Sequence, residues 1–195
     1  MGMEWIASLL LAYALGSIPF GLILARLSGA GDLRTIGSGN IGATNVLRTG
    51  RKGIAAATLL LDLSKGLVAV LLVQRLFPGM EGVAALWAVV GHCFPVWLRF
   101  KGGKGVATTM GVALGLGWPI GLAYAVVWLG MLAITRISSL SGLSAALAAP
   151  ITAFVLGQRE DAFVLAVIAA LVFWLHRANI SSLLAGTEPK VGSKS

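Results

Sequence analysis

Residues 37–48 read Gly37-Ser38-Gly39-Asn40-Ile41-Gly42-Ala43-Thr44-Asn45-Val46-Leu47-Arg48, a glycine-rich polar segment between two long apolar ones. Glycines let backbone N–H groups turn toward one point and let an anion come close. Ser38, Asn40, Thr44 and Asn45 add neutral hydrogen-bonding side chains, and Arg48 adds a planar cation. Donors interleaved with glycines in this way suit a phosphate-bearing molecule. Gly37-x-Gly39-x-x-Gly42 also matches the dinucleotide-binding string, but no strand precedes it. The acid twenty residues on, Asp62, sits in an apolar run, so that reading is rejected.

A second basic segment, Lys101-Gly102-Gly103-Lys104-Gly105, opens another apolar run. It lacks the upstream glycine spacing and the following hydroxyl of a Walker loop. A cation at the start of a helix opposes the helix dipole, and a phosphate between Lys104 and the helix N-terminus removes that conflict. Lys101 reads equally well as a lysine that only sets topology. Asp62 and Lys65 lie one helical turn apart inside an apolar run and read as an ion pair that orders the site without reacting. His92, in Gly91-His92-Cys93-Phe94-Pro95, reads as an interior histidine. His176 ends the last apolar run, and Asn179 falls one turn further on if the helix continues. Ser138 and Ser139 are either helix caps or donors to a phosphate oxygen.

What is missing narrows the chemistry. Neither histidine has an acid at the fifth following position, so the His/Asp dyad of thioester-using glycerolipid acyltransferases is absent. No carboxylate cluster suits magnesium, no paired histidines suit zinc, and no nucleophile elbow is present. The expected site is cationic, with no metal and no cofactor. It suits transfer from an already activated, phosphate-bearing donor, with electrostatic stabilisation lowering much of the barrier.

These residues must be positioned by membrane helices. The 195-residue chain is 57% hydrophobic and 11% charged, with a mean hydropathy of +0.91. Such a composition predicts an all-α, polytopic integral membrane protein. The net charge of +8 does not imply a nucleic-acid partner, because basic residues in membrane chains report topology and lipid contact. The lone Cys93 excludes an internal disulfide. The first apolar segment follows Glu4 instead of a basic stretch and is expected to be a retained helix.

Apolar runs at roughly 4–25, 54–77, 82–98, 105–117, 119–135, 137–156 and 161–175 predict about seven spans in one domain covering 1–195. Residues 187–195 form a polar tail, and the run 105–117 is short for a full crossing. With the N-terminus outside, one face receives Arg26, Arg34, Arg48, Arg51, Lys52, Arg99, Lys101, Lys104, Arg136, Arg177, Lys190 and Lys194, and the other only Arg75 and Arg159. That asymmetry predicts a cytoplasmic C-terminus in a bacterial inner membrane. Trp5 and Trp118 are expected at the outer interface, Trp97 and Trp174 at the inner one. All four polar segments then share the cytoplasmic face and can converge on one site.

In combination the motifs resemble the bacterial membrane acyltransferases that use acyl phosphate to acylate glycerol 3-phosphate. The matching blocks are Gly16 to Gly21, Ile36 to Arg48, Leu61 to Gly66, Gly91 to Trp97, Phe100 to Gly111, and His176 to Glu188. Where that family commonly has Pro after Gly-Ser-Gly-Asn this chain has Ile41, and it has no basic residue at Ser181 or Ser182. The resemblance implies formation of lysophosphatidic acid and inorganic phosphate from acyl phosphate and the sn-1 hydroxyl of glycerol 3-phosphate, the first step of phospholipid synthesis. Gly37, Ser38, Gly39, Asn40, Gly42, Thr44 and Asn45 are expected to cradle the acyl-phosphate headgroup, and Arg48 and Lys104 to clamp glycerol 3-phosphate. His176 and Asn179 would orient the glycerol hydroxyls, with Ser139 and Lys101 as further contacts. No carboxylate base is obvious, leaving His176 or the donor's own phosphate to take the hydroxyl proton. The acyl chain is expected in lipid-facing grooves lined by Gly16, Gly111 and Gly115. The rival reading is a transporter or channel for a phosphorylated metabolite, against which stand the missing basic cluster on the other face and the missing inverted repeat. Oligomeric state is left open.

Overall fold

The computed structural model describes residues 2–192. Within them the chain is helical, without strands. In hydrocarbon every backbone polar group must be satisfied internally, which long apolar runs achieve as helices. α1 (Gly2–Gly16) and α2 (Phe20–Leu27) form the first span, and α3 (Ala43–Leu47) is a single turn inside the glycine-rich loop. The second and third spans are α4 (Lys52–Leu76) and α5 (Glu81–Cys93), the latter extended by a short 3₁₀ turn, Val96–Leu98. α6 (Val106–Leu116), α7 (Trp118–Thr135), α8 (Ser138–Val155), α9 (Arg159–Leu175) and α10 (Arg177–Leu184) complete the bundle.

Five segments are long and apolar enough to cross a membrane, and α9 with α10 makes a sixth that bends by 64°. α6, with 11 residues, is only about 16 Å long at 1.5 Å per residue. It falls short of a crossing because Lys101–Gly105 enters the bundle before the helix begins. Trp5, Trp97, Trp118 and Trp174 are all exposed on the helix surfaces, as residues of an interfacial belt would be.

The bundle is built on small residues. Its buried centre holds Ala12, Ala69, Ala84, Ala85, Ala88, Ala145, Ala149 and Ala153 with Val and Ile between them. Without a hydrophobic force between helices in lipid, close approach of backbones supplies the packing. Gly111 is one such position: a Cβ there would fall 2.0 Å from the Leu63 carbonyl oxygen of α4. The break between α1 and α2 falls at Pro19, which has no N–H to give. The Ile18 carbonyl before it accepts from the Phe20 N–H at 3.1 Å and, across the bundle, from the Lys65 ammonium at 2.8 Å.

Candidate functional site

The loop between α2 and α3, the loop before α6, the start of α8 and the segment from His176 to Gly192 meet at one end of the bundle. They enclose a cavity of about 860 Å³. The first loop holds its shape through Asn45, which is 2% exposed. Its Nδ2 donates to the carbonyls of Leu33, Ile36 and Asn40 at 2.8–3.0 Å, and its Oδ1 accepts from the Ser38 N–H at 3.2 Å. Asn40 Oδ1 accepts from the Gly42 N–H at 2.8 Å. Gly37 and Gly39 take φ of +53° and +68°, a region costly for side-chain-bearing residues. A Cβ on Gly37 would also fall 2.8 Å from the Arg48 guanidinium, which lies across it.

The sequence expectations divide on this geometry. Ser38, Asn40, Gly42, Thr44, Asn45 and Arg48 line the cavity with Lys104, Ser139, His176 and Asn179. Gly37, Gly39 and Lys101 do not line it: the two glycines shape the turn, and Lys101 is exposed. Asn45 reaches the lining but spends its amide inside the loop, so it builds the cradle instead of offering donors to a ligand. Thr44 Oγ1 meets Ser138 Oγ at 2.9 Å, joining the loop to the start of α8. The acyl grooves expected at Gly16, Gly111 and Gly115 are absent, because a Cβ on each would strike Ala88, Leu63 or Val70 of a packed helix. The apolar part of the cavity is lined instead by Leu47, Leu59, Val106, Ala107 and Trp128.

The α9–α10 bend brings His176 and Asn179 to the same cavity. His176 is 4% exposed, and its Nδ1 lies 2.8 Å from the Val172 carbonyl. A carbonyl only accepts, so Nδ1 carries the proton and a neutral ring turns a lone pair outward at Nε2. The Lys104 ammonium donates to Asn179 Oδ1. Burial pushes the Lys104 pKa below the ordinary lysine range; Arg48 and Arg177 push the same way and Glu188 opposes them.

Glu188 is the residue that sequence reading missed. Its Oε1 accepts from Ser139 Oγ and from Asn179 Nδ2, both at 2.6 Å, and so closes the site with the tail. The tail is held further by Val191 N–H donating to the Arg136 carbonyl at 2.7 Å, with the Arg136 guanidinium donating back to the Val191 carbonyl at 3.0 Å. Residues 187–192 are therefore folded onto the site and not a loose tail; 193–195, with Lys194, lie outside the described residues. The available signal was that Glu188 is the one acid in the segment beyond the last span.

Asp62 and Lys65 pair at 2.6 Å, as their spacing predicts. His92 is an interior histidine as expected, 4% exposed, with its Nδ1 3.6 Å from Asp62 Oδ1, and both residues border the cavity. Among the described residues no group of three or more His, Cys, Asp or Glu side chains is arranged to hold a metal.

A family model described as glycerol-3-phosphate acyltransferase matches residues 6–186. A glycerol-3-phosphate acyltransferase of Novosphingobium aromaticivorans is 69% identical over 193 residues, covering 99% of this chain and 98% of its own. One from Erythrobacter litoralis is 64% identical over 185 residues, covering 95% and 94%. Two solved structures of PlsY (YgiH), an integral membrane glycerol 3-phosphate acyltransferase, share the fold. Its glycerol 3-phosphate form superposes with a TM-score of 0.91 at 39% identity, covering 96% of both chains. Its lysophosphatidic acid form gives 0.89 at 38% identity, covering 95% of this chain and 94% of that one.

Proposed function

The chain belongs to the glycerol-3-phosphate acyltransferase family, and from that premise we propose that it transfers an acyl group from acyl phosphate to the sn-1 hydroxyl of glycerol 3-phosphate, at a site facing the cytoplasm. One observation carries the reading. Arg48 and Lys104 share a single cavity with His176 and Asn179, and the same lining includes the apolar Val106, Ala107 and Trp128. A cavity lined by both cations and apolar side chains suits a molecule with a phosphorylated head and a hydrocarbon tail beside a small polar phosphate ester. The solved relatives named for their glycerol 3-phosphate and lysophosphatidic acid forms support the acceptor and the product.

In the proposed reaction the glycerol 3-phosphate hydroxyl oxygen attacks the acyl carbonyl carbon. The bond from that carbon to the phosphate oxygen then breaks, giving lysophosphatidic acid and inorganic phosphate. Arg48 and Lys104 offset the repulsion of two anions brought together and the charge that develops as phosphate leaves. His176 Nε2 accepts from a glycerol hydroxyl and, with Asn179, fixes which hydroxyl is presented. The hydroxyl proton passes to the departing phosphate. Glu188 Oε1 is committed to Ser139 and Asn179, which gives it a part in holding the site closed.

The rival reading of a transporter or channel finds little support at the other end of the bundle, where among the described residues Arg75 and Arg159 are the basic side chains at the helix ends. Donor and position are tested together by offering the purified protein palmitoyl phosphate, palmitoyl-coenzyme A or a palmitoyl carrier-protein thioester with glycerol 3-phosphate. The expected result is turnover with the phosphate donor alone and a product acylated at sn-1. Turnover with a thioester, or an sn-2 product, overturns the finer assignment.

A further inference from the structure

We propose that His92, Asp62 and Lys65 form a buried positioning chain that seats the Lys101–Gly105 loop, and so sets where the Lys104 ammonium meets the phosphate of glycerol 3-phosphate; this rests on the role of Lys104 given above. The chain begins at the break between α1 and α2. Lys65 donates there to the Ile18 carbonyl at 2.8 Å and lies 5.8 Å from the centre of the Phe20 ring. The same ammonium pairs with Asp62 at 2.6 Å, and the same Asp62 oxygen stands 3.6 Å from His92 Nδ1. All three side chains are at most 4% exposed. Charges held this far from water are costly. The pair is anchored at its Lys65 end by the Ile18 carbonyl, while at its Asp62 end the imidazole of His92 packs close without a hydrogen bond.

His92 passes that geometry to the loop. Its carbonyl accepts from the Gly103 N–H at 3.1 Å, and the Cys93 carbonyl accepts from the Gly102 N–H at 3.0 Å. The other edge of the imidazole presses on the loop directly, since a Cβ on Gly103 would fall 2.0 Å from His92 Nε2. The backbone one residue before Lys104 thus lies on the ring. Lys104 itself leads through Gly105, at φ +84°, into α6. A histidine with one ring nitrogen on a carboxylate and the other under a glycine is a spacer of fixed height. Asp62 faces that ring at 3.6 Å, beyond hydrogen-bond reach, so it backs the imidazole by charge and packing.

A positioning role predicts a pattern that loss of folding does not produce. Displacing Lys104 by an ångström is expected to raise KM for glycerol 3-phosphate in His92→Ala by roughly tenfold to a hundredfold. KM for palmitoyl phosphate, cradled by the loop at residues 37–48, stays within about twofold. In a Lys104→Ala background the His92 substitution adds nothing further, because the group through which it acts is gone. His92→Asn keeps a polar side chain on the Asp62 side but removes the ring edge beneath Gly103. It is expected to retain the wild-type melting temperature in detergent while showing the same selective KM increase, so the test survives if His92→Ala does not fold. Full-length protein is used throughout, with glycerol 3-phosphate binding measured by calorimetry beside turnover. Equal losses for both substrates in His92→Asn, or a His92 effect of undiminished size in Lys104→Ala, overturn the proposal. Wild-type glycerol 3-phosphate binding in Lys104→Ala alone instead overturns the reading on which it rests.

Discussion

Lys104 brings an ammonium into a half-buried setting beside two guanidinium groups, and its pKa is lowered first by burial and then by Arg48 and Arg177. The sign of the consequence follows directly. The clamp works while Lys104 is protonated, so kcat/KM for glycerol 3-phosphate falls as pH rises through a value below the ordinary lysine range. Lys104→Arg keeps its charge throughout and is expected to move that alkaline limb upward, at whatever residual rate the bulkier head allows. An unmoved limb in pH profiles of the two proteins would assign it to another group. At this scale what was legible in the sequence is convergence: Arg48, Lys104, Ser139, His176 and Asn179 line one cavity, and the roles given them there are proposals. Sequence reading failed where a role depends on partners far along the chain. Ser139 and Asn179 meet over Glu188, 49 and 9 residues away, and Thr44 meets Ser138 across 94. Nothing in the spacing of Asn45 shows that its amide is consumed by three carbonyls.

At the scale of elements, the hydropathy runs and the helices agree closely. The expected run 54–77 is α4, 119–135 is α7, and 137–156 is α8. Lipid makes this legible, because an apolar run has few options besides a helix. The interruptions were less legible. The split at Pro19, the single turn α3 and the bend after Leu175 place the site residues, and each depends on tertiary bonds instead of periodicity. Gly16 of α1 and Gly111 and Gly115 of α6 were read as groove-formers but are contact points, and Gly66 of α4 faces the Thr108 carbonyl just as Gly111 faces that of Leu63. Because α6 follows directly from Lys104, its seating matters to catalysis. Gly111→Val is expected to lower stability by about 1–3 kcal/mol or more through overpacking and to reduce activity beyond that loss. Gly130→Ala, where no atom lies within 4 Å of the added carbon, is expected to be neutral. Thermal unfolding in detergent checks both; a Gly111→Val protein as stable as wild type would contradict the packing account.

Across the whole molecule the loops that carry cations gather at one end, and the turns near Phe77 and Gly157 occupy the other. That polarity is what the distribution of Lys and Arg predicts for a cytoplasmic site. It also matches the supply of a water-soluble phosphate ester from one side and a hydrocarbon-tailed donor from the bilayer. The native Cys93 is buried, so introduced cysteines can be read against a quiet background. A membrane-impermeant maleimide is expected to label Pro78→Cys in intact cells and Lys101→Cys only in inverted vesicles. The reverse pattern would turn the site outward.

The central claim is that one cavity joins two phosphate-bearing substrates and releases the phosphate of one of them. The most direct measurement follows inorganic phosphate and lysophosphatidic acid together, with purified protein, palmitoyl phosphate, glycerol 3-phosphate and EDTA. The account predicts that the two products appear in equal amounts and only when both substrates are present. It also predicts that the rate falls by about 10²–10³-fold in Lys104→Ala, as when one preorganised electrostatic donor is removed. Phosphate released without glycerol 3-phosphate, or a Lys104→Ala protein with undiminished turnover, would contradict it.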